Sequence, residues 1–207
     1  ALLLALLCLL LPARAHAQVE AALVSPHTTI QPGKPFDVAV RMQHRDGWHS
    51  FWRNPGTGLP TKIKWALPEG WSAGAFQWPT PHLVRDREGN ITGHGYEGLL
   101  YLPLTLTPPA DLRAGTAVEL KGTVRWLMCE TVCIPGKQAV SLSLPVSADA
   151  PGIDAQARAG IASMSMPQPP AGWALAASVD NDTAGAGAIV LNIVADRAIR
   201  DLHFFPD

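Results

Sequence analysis

The residues whose type and spacing carry chemistry here are Cys129 and Cys133, in the stretch Trp126-Leu-Met-Cys-Glu-Thr-Val-Cys-Ile-Pro135. Two thiols at this spacing can exchange disulfides, staple the chain or hold a soft metal. In an extended strand rising about 3.3 Å per residue, their Cα atoms would stand roughly 13 Å apart. A disulfide needs about 4.4–6.8 Å. If the two pair, Glu130-Thr131-Val132 must therefore turn the chain back, and Pro135-Gly136 just after adds a turn signal of its own. As a staple the bond would gain little, about 2 kcal/mol for a closed loop of about five residues. A short ring of this kind is typical of a disulfide that is made and broken in use. The metal alternative rests on Met128 beside the two sulfurs, a set that suits Cu(I) or zinc. Two sulfurs do not fill a tetrahedral site. His44, His49, His82 and His94 are available to complete one, though no two of them have a metal-type spacing. The copper version of this reading uses Cys129, Cys133, Met128 and His94.

The elements that must position the pair are β-strands. The chain has 207 residues, of which 47% are hydrophobic and only 16% charged, with a formal net charge of −1. No basic stripe is present, which argues against nucleic acid as a partner. Nineteen prolines and eighteen glycines favour many short strands and turns over long helices. Residues 1–11 are almost wholly apolar, and Ala15-His16-Ala17 has the A-x-A form of a cleavage site. The segment 1–17 reads as a secretory signal peptide lacking its first residues, with Cys8 removed along with it. The mature chain then keeps one cysteine pair in an oxidising compartment.

From residue 36 to 42 the alternation of Phe36, Val38, Val40 and Met42 predicts a half-buried strand. The block from Gly47 to Pro60 is rich in aromatics, proline and glycine and is expected to be largely loop. Its rings Trp48, Phe51 and Trp52 are expected to pack on the sandwich edge or to roof a site. A strand with Ile63, Trp65 and Leu67 inward follows, then a short edge element at residues 76–79. The polar, glycine-rich run from 82 to 98 predicts a mobile, lid-like loop with His94 and Tyr96 at its tip. Leu100, Leu102, Leu104 and Leu106 alternate through a strand in which Pro103 suggests an edge or bulge. Val118, Leu120, Val124, Trp126 and Met128 share one face of the strand leading to the cysteines. That parity turns Cys129 to the other face, beside Arg125, a cation able to favour its thiolate. Val140, Leu142, Leu144 and Val146 line the return strand. No general base stands out, and activation falls to Arg125 or a nearby histidine.

Short strands with frequent turns indicate an all-β fold, an immunoglobulin-like antiparallel β-sandwich over residues 18–146. Residues 147–170 read as a linker with a short helix between 153 and 164. Residues 171–207, with Ile189, Leu191 and Ile193 alternating, read as the start of a second β domain cut short, so the sequence is expected to be the front of a longer protein.

The cysteine segment, together with Trp48-His-x-x-Trp-Arg-Asn-Pro-Gly56 and Gly95-Tyr-Glu-Gly98, resembles the N-terminal periplasmic domain of DsbD-type protein-disulfide reductases, in particular their ScsB-like branch associated with copper tolerance. The resemblance implies a redox-active disulfide and no other cofactor. It implies that electrons arrive from a downstream transmembrane core fed by thioredoxin. They pass to periplasmic disulfide proteins such as disulfide isomerases or cytochrome c maturation proteins, and a thioredoxin-like domain follows in the same polypeptide. The location it implies is the periplasmic side of an inner-membrane protein. Carried over residue by residue, Cys133 would form the mixed disulfide with the partner, Cys129 would resolve it, and Tyr96 would belong to an aromatic cap. The best-known member places more residues between its cysteines than the three found here.

Overall fold

The computed structural model describes residues 17–164, 166, 171–181, 187–198, 202, 203 and 205. The signal-peptide reading of the first residues falls on 1–16, outside the described residues. In chain order the strands of the main unit are β1 (Val19–Val24), β2 (Phe36–His44), β3 (His49–Gly56), β4 (Lys62–Trp65), β5 (Ser72–Ala73), β6 (His82–Arg85), β7 (Ile91–Glu97), β8 (Leu99–Thr107), β9 (Ala117–Cys129) and β10 (Cys133–Pro145). One sheet has the order β1-β2-β8-β5. The other runs β10-β9-β3-β7-β6, with β4 also paired to β9. All pairings between these strands are antiparallel. The fold is thus the expected all-β, immunoglobulin-like sandwich.

Alternation in the sequence explains the inner faces. Phe36, Val38, Val40 and Met42 of β2 stand opposite Leu106, Leu104, Leu102 and Leu100 of β8, and all eight side chains are buried. Burying an aliphatic or aromatic side chain of this size gains about 1.5–3 kcal/mol relative to leaving it in water, so this row anchors one half of the core. The other half comes from Val118, Leu120, Val124, Trp126 and Met128 of β9. Pro103 lies opposite Ala39, and its far edge carries only the two residues of β5. Its carbonyl accepts from the Gln77 amide at 2.7 Å, in keeping with the near-edge place a strand proline requires. Where the two sheets meet at β1 and β10, the Gln138 amide zips them. Its Oε1 accepts from Ala21 N at 3.0 Å and its Nε2 donates to Ala21 O at 2.7 Å.

Three expectations are corrected. The aromatic block was expected to be loop, yet it forms β3, the strand between β9 and β7. Only His49–Phe51 hold regular pairing, and a register shift between Phe51 and Gly56 absorbs Pro55. The run from 82 to 98 is a hairpin of β6 and β7, whose turn at residues 86–90 does not include His94 or Tyr96. Its glycines have a steric cause: a Cβ on Gly95 would be driven into the Ser50 carbonyl, and one on Gly93 into that of Pro55. β3 can approach β7 only because both positions lack side chains. Residues 76–79 make no strand. Phe76 and Trp78 instead pack edge to face on each other and lie against the core.

A short helix, α1 (Ala155–Ala162), follows the sandwich, started by the Asp154 side chain, which accepts from Ala157 N. Tyr101 on the outer face of β8 lies so close to Gly160 that a Cβ there would meet its ring. Beyond the helix, β11 (Ala174–Asn181) and β12 (Gly187–Val194) form an antiparallel hairpin, on which Leu175, Val179 and Val194 are exposed.

One buried polar group adds a pH dependence. His44 is buried, with Nδ1 2.8 Å from Gly98 O and Nε2 2.8 Å from Ser50 Oγ. A carbonyl can only accept, so Nδ1 carries the proton and, in the neutral ring, Nε2 accepts from the Ser50 hydroxyl. Burial pushes the imidazole below its ordinary value, the Gly98 carbonyl working against that. The unfolded chain therefore binds a proton near pH 6.5 that the folded chain resists. Stability from this group is complete above about pH 6.5 and declines as pH falls below it. Urea midpoints taken between pH 7.5 and 5 should drop, and the drop should be shallower in His44→Gln.

Candidate functional site

Cys129 ends β9 and Cys133 begins β10, and the two are direct register partners. Glu130, Thr131 and Val132 fold the chain back as the spacing demands, and a disulfide joins the pair with Cα atoms 4.1 Å apart. The two sulfurs are unequally placed. Cys129 is 4% exposed, whereas Cys133 lies open to solvent. Beside Cys133 two large apolar side chains are also open, Val132 at 60% and Ile134 at 37%. An incoming thiol or disulfide can therefore meet Cys133 along an apolar rim, and Cys129 only from behind it.

Strand register shows what lies beside the buried sulfur. β3 pairs with β9 at its end, where His49 stands opposite Cys129 and Ser50 opposite Met128. On the other side of β3, His49 stands opposite Glu97 of β7. Cross-strand partners share a face of the sheet, so Cys133, Cys129, His49 and Glu97 form one row across four strands. His49 is 9% exposed and packs edge to face on Phe51, centroids 5.2 Å apart. Burial pushes its imidazole down from the ordinary value, and the Glu97 carboxylate opposes that shift. Among the four histidines that the sequence offers, His49 gains its place beside Cys129 from β3, the strand that stands where a loop is expected. No alternation marks this strand, since His49, Ser50, Phe51 and Trp52 are all buried.

The turn between the cysteines is also touched from β6–β7. Arg87 donates from Nη2 to Thr131 Oγ1 at 2.8 Å. The turn that carries Arg87 is braced by Asp86, which accepts from Asn90 N at 2.8 Å and from Asn90 Nδ2 at 2.9 Å. These bonds, the Asn90 side chain first, hold the Asp86 carboxyl below its ordinary value. The run from 82 to 98 thus does reach the turn between the cysteines, but through Arg87.

The other expected site residues lie elsewhere. Tyr96 is paired with Ser50 and so faces the interior, opposite to the Cys129 side. Its ring is buried and stacks on Trp78, and its hydroxyl donates to Pro79 O at 2.7 Å. Burial pushes that hydroxyl's pKa upward. It is a core residue and does not cover the disulfide. Arg125 shares the outward face with Cys129 but stands four residues up the strand, about 13 Å away at the usual rise. Its register neighbours are Lys62 and Lys137. Of the copper set, Met128 turns into the core. His94 has Nδ1 3.1 Å from Asn54 O and packs edge to face against both Trp52 and Phe205. Neither converges with the two sulfurs, and among the described residues no group of three His, Cys, Asp or Glu side chains is placed to hold a metal ion.

No curated protein sequence matches the chain significantly. Among solved structures, the chain is similar to the N-terminal periplasmic domain of ScsB from Proteus mirabilis. The identity is 17%, with 86% of this chain and 79% of that one covered and a TM-score of 0.46. Spo0M, a sporulation control protein from Bacillus subtilis, aligns at 10% identity over 80% of this chain and 60% of its own, with a TM-score of 0.30. Residues 18–145 match the family described as thiol:disulfide interchange protein DsbD, N-terminal. That match takes in every strand of the sandwich and both cysteines and spans more than half of the 207 residues, and the chain therefore belongs to the family of DsbD N-terminal domains.

Proposed function

We propose that the chain is the periplasmic electron-passing domain of a protein-disulfide reductase, with Cys129 and Cys133 as its redox pair. In this reading a transmembrane core of the same protein reduces the pair, and the pair then reduces disulfides of periplasmic partner proteins. The observation that carries it is the asymmetry of the disulfide: one sulfur open on an apolar rim, its mate screened behind it. Such an arrangement lets Cys133 attack a partner disulfide and form a mixed disulfide. Cys129 then attacks the Cys133 sulfur and expels the partner as a thiol. Val132 and Ile134 supply a small apolar contact on which a partner's own active-site surface can settle. The exchange needs no metal, and the thiolate is the only nucleophile required.

The test is stoichiometric. Reduced chain mixed with an oxidised periplasmic disulfide isomerase should transfer one pair of electrons, read as two new thiols on the isomerase and two lost from the chain. Failure to transfer at any ratio, with both proteins folded, would remove the reductase reading.

A further inference from the structure

The row across β10, β9, β3 and β7 places Cys129 next to His49 and His49 next to Glu97. Directly opposed residues in an antiparallel pair have Cβ atoms about 4.5–5.5 Å apart, within reach of an imidazole and a thiol. We infer that His49 is the proton acceptor for Cys129 when the mixed disulfide is resolved, and that Glu97 sets the charge of that imidazole. The inference rests on the exchange reading above and names the group that makes its second step work.

The chemical need is specific. Cys133 is open to water and can lose its proton to solvent. Cys129 is screened, and a thiol shielded from water resists ionisation unless an acceptor stands beside it. In the forward step the His49 ring takes the Cys129 proton. The sulfur's electron pair forms the bond to Cys133 Sγ, the bond from Cys133 to the partner sulfur breaks, and its pair leaves on the partner as thiolate. The partner sulfur is then protonated by solvent or by the imidazolium. Two thiols of this chain have become a disulfide, and the partner disulfide has become two thiols. When the chain is recharged the order reverses. A reductant thiolate attacks Cys133, Cys129 leaves as thiolate, and the imidazolium returns a proton to it.

The groups facing His49 can be named from each element around it. Glu97 comes from β7 and Cys129 from β9. His44 at the end of β2 is close enough for the charge of His49 to lower its own pKa further. Glu130 of the turn between the cysteines lies over Gly47, two residues before β3. Burial keeps the ring neutral at pH 7, the form that can accept, and Glu97 stabilises the imidazolium once the proton arrives.

The experiment uses the reduced chain and oxidised glutathione, with acid quenching and mass analysis to follow the Cys133–glutathione adduct. In the wild type, the resolution rate should rise with pH through an inflection below about pH 6.5 and level off near neutrality. His49→Gln should resolve about 100-fold more slowly at pH 7, a usual share for general-base assistance, and converge on the wild type once the thiol ionises unaided above about pH 9. Glu97→Gln, a change at an exposed position, should move the inflection to lower pH. A His49→Gln rate that is unchanged, or slowed equally at every pH, overturns the inference. So does an inflection that stays in place in Glu97→Gln, an arm that stands even if His49→Gln does not fold. A wild type that never forms the glutathione adduct would refute the exchange function itself, a separate outcome from normal exchange with His49 replaced.

Discussion

Cys129→Ala, treated with oxidised glutathione after reduction, should accumulate a mixed disulfide at Cys133 that persists for hours, whereas Cys133→Ala should scarcely react. The expected ratio of initial rates is on the order of 100-fold, because thiol reactivity follows exposure as well as thiolate content. The burial difference is the cause. Cys133 stands at the start of β10 among open side chains, while Cys129 at the end of β9 is 4% exposed and flanked by His49 on the adjoining strand. Removing the screened cysteine leaves the attacking one intact and takes away only the group that would expel the partner. Removing the open cysteine leaves a thiol that no partner sulfur can approach in line. Mass spectrometry of each variant against time reads both effects. Equal reactivity of the two would mean that the hairpin end opens freely, and the assignment of attacking and resolving roles would have to be abandoned.

Gly95→Ala should be the most damaging single substitution at a position that carries no chemistry. The added methyl would be forced against the Ser50 carbonyl, with the Val84 side chain 3.0 Å away on the other side. A backbone oxygen inside a sheet cannot swing aside as a flexible side chain does, so β3 and β7 must separate. Overpacking of this kind costs about 1–3 kcal/mol and sometimes more, and here the upper end applies. The denaturant midpoint should fall with little change in slope. Since Ser50 adjoins His49, the same variant should also slow resolution of the mixed disulfide. A variant as stable as the wild type would show that β3 does not lie against β7 as described.

How legible the site was in the sequence depended on whether its signal was local. The cysteine hairpin was legible because an extended run of three residues cannot bring two thiols within bonding distance and the flanking segments are β-rich, so a pairing implies a turn. The strands with unbroken alternation, such as Phe36 to Met42 and Leu100 to Leu106, were legible for a similar reason. Their period of two survives without help from neighbours. β3 and the β6–β7 hairpin were not. Proline and glycine there serve close backbone approach and a register shift, features that only a partner strand reveals. Reading β3 as loop hid His49, whose place beside Cys129 is a matter of pairing across eighty residues of chain. The cap role that the resemblance assigns to Tyr96 falls on a buried side chain, while Arg87 of the β6–β7 turn hydrogen-bonds Thr131 between the cysteines. Arg125 was placed on the correct face by parity, but parity carries no information about distance along a strand.

The measurement that bears most directly on the account is the equilibrium of the Cys129–Cys133 disulfide with a graded glutathione redox buffer, followed by thiol alkylation. Structural disulfides hold out below about −300 mV, and exposed working ones lie above it. The account predicts one reversible two-electron transition within the glutathione range. A bond that stays fully oxidised throughout, in a folded chain, would make the pair a staple and contradict the electron-passing role.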